Sequence, residues 1–379
     1  MKIFMFYHSV LSDWNHGNAH FLRGIATELM AAGHDVSVLE SATAWSRQNL
    51  VRNCGEAPLR EFRRAYPHLR AVVYDGDTDL EKVVEGADLV LVHEWNTHTL
   101  VKRIGEIRSR NRGMRLLFHD THHRSVTDPG AMAAYDLKNY DGVLAFGETL
   151  RNIYAERSLA RRVWTWHEAA DTRVFKPVPW RSREGDVVWV GNWGDEERTR
   201  EISEFLIGPV AELRLRCSVY GVRYPESARR MLRENSITCS GWVPNFRVPR
   251  IFSSHLLTVH IPRRPYTTAL PGIPTIRVFE ALACGIPLVC SPWDDCEGLF
   301  KPGKDFLTAA DGRQMARHMR EIISNPGLAA SLSSHGLRTI RERHTCARRA
   351  RELLEICRGL GLNVDAAGNK LPEVKSCRA

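Results

Sequence analysis

The chain has 379 residues, 43% of them hydrophobic and 26% charged, with a formal net charge of +9. That length exceeds what one core usually supports, so two domains are expected, and the composition is that of an ordinary globular protein without a low-complexity tract or short-period repeat. No apolar run approaches the ~20 residues of a membrane-spanning helix, and nine cysteines with no CxxC pair fit reduced, buried thiols in a cytosolic protein.

The elements alternate from the start. Lys2 to His8 reads as a strand, Ser9 to Gly17 as a polar loop, and Phe21, Leu22, Ile25, Leu29 and Met30 recur at helical spacing before Gly33 ends the helix. Strands are expected at Asp35–Leu39, Leu69–Tyr74, Ala87–His93, Arg115–His119 and Val143–Phe146, with helices at Leu80–Glu85 and Thr97–Arg110. Apolar β runs alternating with helices argue for a parallel sheet covered on both faces. A proline-bearing, charged break at 175–183 separates this from a second series of strands at Asp186–Val190, Arg214–Tyr220, Ile237–Cys239, Leu256–His260 and Leu288–Cys290. From Gly312 onward the chain is expected to be helical, with one basic helix over 338–358. The expected division is therefore 1–175 and 183–345 as two Rossmann-like domains facing across a cleft. A C-terminal helix over 346–362 would pack back on the first domain, and a polar tail over 363–379 is expected to be disordered.

Arginines gather at Arg161-Arg162, Arg263-Arg264 and Arg348-Arg349, but no helix-turn-helix, zinc-finger or RNP-like pattern accompanies them, so nucleic acid is not expected as a partner. A phosphorylated ligand fits the charge better, as does peripheral contact of a cytoplasmic protein with an anionic membrane surface.

The segment Pro271 to Cys290 carries the most chemistry. A Gly/Pro loop, Pro271-Gly272-Ile273-Pro274, feeds a helix that Thr275 can cap, and a buried strand follows. Free N–H groups and the positive dipole end at such a helix start suit a phosphate. Arg277 and Glu280, three residues apart, would by themselves read as a salt bridge on a helix surface. Between this loop and this strand they propose a nucleotide-diphosphate site, with Glu280 accepting hydrogen bonds from both ribose hydroxyls. In the first half, His119-Asp120-Thr121-His122-His123-Arg124 follows a strand. It admits a metal site, a solvated loop or a cleft role; without a second ligand cluster or a helix to fix ligand geometry, no metal is expected. Asp75-Gly76-Asp77-Thr78-Asp79 reads as turn chemistry, and Asp294-Asp295 as a cap or turn close to the cleft.

The stretch Arg277-Val-Phe-Glu280-Ala-Leu-Ala-Cys284-Gly-Ile-Pro-Leu-Val289 resembles the donor-nucleotide motif of GT-B glycosyltransferases, most closely the group that includes the CgeB-like (spore-coat type) enzymes. Asp186 to Asp195, Glu168-Ala-Ala-Asp171 with Phe175-Lys-Pro177, and Gly17 through Val38 are similar to other parts of that fold. The resemblance implies that Glu280 binds the ribose and that amides of Gly272, Ile273, Pro274 and Thr275 face the diphosphate or sugar. It also implies donor contacts for Gly17, Gly191, Asn192 and Tyr220. Its usual basic pair on the diphosphate has no plain match; Arg198, or Arg200, is the nearest candidate, followed by Arg263 and Arg264 beside Tyr266. His122 is implied to contact the transferred sugar, with His119 and His123 as neighbours; Asp120 either orients a histidine or serves as base. His93 and Glu94 are placed near sugar or acceptor. The implied activity is a metal-independent glycosyltransferase, a hexosyltransferase in particular. It would move a sugar from a nucleotide-diphosphate sugar to an acceptor hydroxyl with retention, and need no cofactor besides the donor. The alternatives are an epimerase of nucleotide sugars on the same fold and a non-catalytic nucleotide-sugar-binding protein. An NAD-dependent enzyme is disfavoured, because no G-x-G-x-x-G follows either first strand.

Overall fold

The computed structural model describes residues 1–179 and 182–365, so the greater part of the expected tail lies outside the described residues. Two parallel sheets are present. The first contains β1 (Lys2–Phe6), β2 (Asp35–Ser41), β3 (Ala71–Tyr74), β4 (Leu89–His93), β5 (Arg115–Asp120), β6 (Gly142–Ala145) and β7 (Val163–Thr165), in the order β3-β2-β1-β4-β5-β6-β7. The second contains β8 (Val187–Val190), β9 (Cys217–Tyr220), β10 (Thr238–Cys239), β11 (Leu257–His260), β12 (Leu288–Cys290) and β13 (Leu307–Thr308), in the order β10-β9-β8-β11-β12-β13. The central strands are continuous apolar runs: every residue of β4, β8 and β11 is buried, as two helix-covered faces require.

In each sheet the strand order reverses beside the first strand, so a crevice opens at the carboxyl ends of the strands. The two crevices face each other. One hydrophobic cluster runs from Met5, Phe21 and Ile25 in the first domain to Val188, Ile276 and Phe279 in the second, and on to Leu353 and Cys357 near the C-terminus. The remaining faces have their own cores. Among the described residues no helix is long and apolar enough to cross a membrane.

Three departures from the sequence reading concern the connections. Helices at Trp45–Cys54 and Ala57–Ala65, and the edge strands β7 and β13, were not expected. The strand assigned to Arg214–Tyr220 starts only at Cys217, because Arg214 takes a left-handed conformation that closes the preceding helix. The single helix expected over 338–358 is two helices, Pro326–Arg343 and Cys346–Gly359. The break falls where His344 O accepts from Ala170 N at 3.0 Å, Ala170 O accepts from Cys346 N at 2.9 Å, and the Thr345 hydroxyl caps the second helix. The chain thus leaves the second domain and lays its last helix against Ala19–Ala31 of the first. Gly24 makes that contact possible: a β-carbon there would lie 2.8 Å from Asp171 Cβ and 2.5 Å from Cys346 Sγ.

Candidate functional site

The loop after β1 is shaped by one carboxylate. Glu40, buried in β2, accepts from Val10 N at 2.6 Å, Leu11 N at 2.8 Å and the Ser12 hydroxyl at 3.2 Å. Asp13 then pairs with buried Arg23 at 2.9 Å and accepts from Asn245 N of the second domain at 3.0 Å. The loop is therefore held by both domains and delivers Gly17 to the cleft, so close to the helix Ile276–Cys284 that a β-carbon on Gly17 would meet Ile276 Cγ2 at 2.8 Å.

Gly17, Gly191, Asn192, Arg198, Arg263, Thr275, Arg277 and His122 all line one interdomain cavity of about 160 Å³. Its second-domain wall is cationic. Arg198 donates to backbone carbonyls, those of Trp193 at 3.3 Å, Ile261 at 2.8 Å and Asn192, and its guanidinium lies over the Trp189 ring at 5.1 Å from the centroid. Burial, with Arg263 beside it, lowers its pKa to about 9. Burial likewise lowers Arg277 to about 10, so both keep their charge at neutral pH. Arg263 pairs with Glu197 at 2.9 Å. Arg200 is exposed and does not line the cavity, and Arg264 turns to Glu201 at 2.9 Å. Thr275 occupies the N-cap position as expected, but its hydroxyl bonds to His260 Nε2 at 2.9 Å instead of capping the helix.

Several sequence expectations do not match these positions. Glu280 is fully buried and does not line the cavity; it pairs with Arg277 above it and lies 2.7 Å from His20 Nδ1. The salt-bridge reading of Arg277 and Glu280 is thus what the helix shows, with the arginine, not the carboxylate, at the cleft. Gly272, Ile273 and Pro274 do not line the cavity. Gly272 (φ +84°) donates to Asp294 O at 2.8 Å, Ile273 is buried against Gly147, and the Thr149 hydroxyl donates to Pro271 O at 2.8 Å. Tyr220 does not line the cavity; its carbonyl accepts from Gly191 N at 2.8 Å.

The histidine loop divides similarly. His122 reaches the cavity, edge-on to Trp95 at 4.9 Å between ring centroids, and burial keeps its imidazole neutral by lowering its pKa well below the usual value. His119 and His93 are fully buried beneath; His93 Nε2 bonds to the Thr121 hydroxyl at 3.0 Å. His123 turns to Thr127 at 3.0 Å. Asp120 does not face the cleft: it accepts from His122 N at 3.1 Å, Ser125 Oγ at 3.1 Å and Tyr154 Oη at 2.8 Å, so its carboxylate holds the loop's shape and has no access to an acceptor. Glu94 is enclosed too, ion-paired with Arg124; burial and nearby Asp120 push its pKa up to about 8 against the pull of that arginine. Among the described residues no group of three or more His, Cys, Asp or Glu side chains is arranged to hold a metal ion. The Asp75 and Asp295 motifs are turn chemistry: Asp75 accepts from Thr78 and Asp77, and Asp295 from Leu299 and Phe300 amides.

Residues that sequence reasoning missed form the rest of the cleft. A second cavity of about 420 Å³ adjoins the first, sharing Asn15, Gly17, His122, Arg263 and Tyr266, and adds His8, His16, Trp45, Trp95 and Arg223. His8 and Trp95 each lie two residues past the ends of β1 and β4, so a search of every strand's carboxyl end would have found them. Trp45 enters from a helix that carries no such signal. Glu168, which follows β7, lines the inner cavity.

Comparison with known proteins bears on this arrangement. The glycosyl transferase-like family matches residues 198–355, which carry Arg198, Arg263, Arg277 and the helix below them. No curated protein matches the chain. Among solved structures, sucrose-phosphate synthase from Thermosynechococcus elongatus is similar with a TM-score of 0.66 at 16% identity, over 95% of this chain and 99% of that one. Anabaena HepE in complex with UDP and glucose gives 0.67 at 13% identity, over 95% and 100%. An alpha-glucosyltransferase in complex with UDP gives 0.69 at 10%, over 94% and 100%. The chain thus has the GT-B glycosyltransferase fold, and the family match in its second half supports a glycosyltransferase.

Proposed function

We propose that the protein transfers a hexosyl group from a nucleoside-diphosphate sugar to an acceptor hydroxyl, with retention of configuration and without a metal ion. The observation that carries this reading is the convergence of Arg198, Arg263 and Arg277 on one small cavity, opposite Gly17 and His122. Guanidinium groups suit phosphate oxygens bidentately, and fixed positive charge around a leaving diphosphate stabilises the charge that grows there in the transition state. The arginines supply the countercharge that a bound cation would otherwise provide. UDP is the first nucleotide to test, because it is bound in the similar HepE and alpha-glucosyltransferase structures.

In this mechanism the anomeric carbon–phosphate oxygen bond breaks and a bond from that carbon to the acceptor oxygen forms on the same face. The acceptor's proton passes to the departing phosphate oxygen, and nucleoside diphosphate is released. Retention is supported by the enclosure of Asp120 and Glu94, the carboxylates at the ends of β5 and β4, away from the cavity. Neutral His122 can hydrogen-bond a sugar hydroxyl as donor or acceptor. The outer cavity, walled by Trp45, Trp95 and Tyr266, is where the acceptor would lie, its aromatic faces suited to a sugar ring.

Calorimetric titration with UDP, GDP, ADP and dTDP tests the reading. One diphosphate should bind the parent protein, and Arg277→Ala and Arg198→Ala should each weaken it by roughly 10- to 100-fold, the worth of a charged hydrogen bond. Unchanged affinity in both variants would place the diphosphate elsewhere.

A further inference from the structure

Glu168 is 3% exposed, lines the inner cavity, and has an Oε1 atom without a hydrogen-bond partner. A buried carboxyl oxygen left unpaired is costly, and native proteins keep few of them. The backbone presenting this side chain is clamped from both sides by the returning C-terminal segment. Trp166 Nε1 donates to Arg349 O at 2.9 Å, Arg349 Nε donates to His167 O at 2.9 Å, and Ala170 exchanges hydrogen bonds with His344 and Cys346. The His167 ring is held 2.6 Å from Glu297 of the second domain. Glu168 is thus fixed in place before any ligand arrives, so little ordering cost would offset a contact it makes.

The cavity has two chemically distinct sides. Arg198, Arg263 and Arg277 come from the second domain; Glu168 comes from the first, with Phe146 and His122 at the ends of neighbouring strands. A diphosphate belongs against the arginines, whose donors match its oxygens, whereas a carboxyl oxygen, itself an acceptor, gives phosphate oxygens no such match. What fits beside Glu168 is an uncharged group rich in hydroxyls. Resting on the reading of the cleft as a nucleotide-sugar site, we propose that Glu168 is the recognition residue for the transferred sugar, its unpaired Oε1 taking a ring hydroxyl of the hexosyl group. Burial raises the Glu168 pKa well above the ordinary carboxylate range. Burial that disfavours a charge at this position suits a neutral partner such as a sugar hydroxyl.

The test separates sugar from nucleotide. The full-length parent, Glu168→Gln and Glu168→Ala are titrated with UDP, GDP, ADP and dTDP and with UDP-glucose, GDP-mannose, ADP-glucose and dTDP-glucose. For the nucleotide that the parent accepts, Glu168→Ala is expected to bind the free diphosphate within about twofold of the parent and the sugar nucleotide at least about tenfold more weakly, as when a polar recognition contact is removed. Glu168→Gln, which keeps the shape and an accepting oxygen, should lose less. Diphosphate binding doubles as the control for folding. The inference is overturned if Glu168→Ala binds the sugar nucleotide like the parent, if it loses diphosphate and sugar nucleotide equally, or if the parent gains nothing from the sugar. A parent that binds none of the diphosphates overturns the nucleotide-site reading instead, and this inference with it.

Discussion

At the scale of single residues, the cleft depends on which charged groups are hidden and which are presented. Glu280 illustrates this. From its place in the sequence it reads as a ligand to ribose, whereas in the fold it sits under Arg277 and beside His20, with no exposed surface. Its physical role is to steady a guanidinium that would otherwise lie in a poorly solvating wall. Glu280→Gln should therefore weaken UDP and 2′-deoxy-UDP to the same extent, and lower stability by about 1–3 kcal/mol through the loosened pair. A direct ribose contact would instead lower the affinity for UDP alone, so titration with the two nucleotides, alongside a melting curve, decides between the roles. The same contrast explains why Arg198 was visible in the sequence only as a candidate. A guanidinium hydrogen-bonded to backbone carbonyls leaves little sequence signature, because these partners are backbone atoms brought together by the loops after β8 and β11.

At the scale of elements, the periodic signals were reliable and the junctions were not. Apolar runs such as Leu89–His93 and Val187–Val190 announce buried parallel strands, and Pro271 to Cys290 announces its loop, helix and strand. The break at His344 is invisible in the helical pattern because it arises from pairing with Ala170, far away in sequence. The surface that Pro271 and Ile273 meet was also illegible. It follows from the docking of this loop on Gly147 and Thr149, where Glu297 also accepts from Glu148 N at 2.8 Å. Local sequence fixes what a segment forms; the surface it meets is set by the other domain. The contact between Ala19–Ala31 and Cys346–Gly359 gives a test at this scale. Gly24→Ala places a methyl group against Asp171 and Cys346, and overpacking of this kind costs typically about 1–3 kcal/mol. A lower melting temperature is expected, with faster proteolysis after residue 345. A variant as stable and as resistant as the parent would show that the helix does not rely on this close approach.

For the whole molecule, burial of histidine sets an acid limit. His119, His260 and His344 are almost completely enclosed, and desolvation lowers each to a pKa of about 3. In the unfolded chain a histidine titrates near 6.5. Between those values the unfolded state binds more protons, so stability is fully present above about pH 6.5 and is lost as pH falls toward 3. At pH 5 each such group costs about 2 kcal/mol, and three together reach a large part of the ~5–15 kcal/mol that holds a domain folded. Thermal melts should fall steeply between pH 7 and pH 5, and His260→Gln should flatten that slope even if it lowers the melting point at pH 7. A melting temperature level across this range would mean that these rings are not held neutral.

The returning helix also constrains how the protein is made. The face of Ala19–Ala31 that meets Asp171 and Cys346 belongs to the first domain, yet its cover, Cys346–Gly359, is synthesised only after the second domain. Domains generally fold in order as they leave the ribosome, at ~5–20 residues per second. Here the first domain's apolar face must wait on the order of tens of seconds for its cover at that rate. A chain cut short before Cys346 would thus be left with an open face on the domain that carries Ala19–Ala31, a form for chaperones and proteases to find.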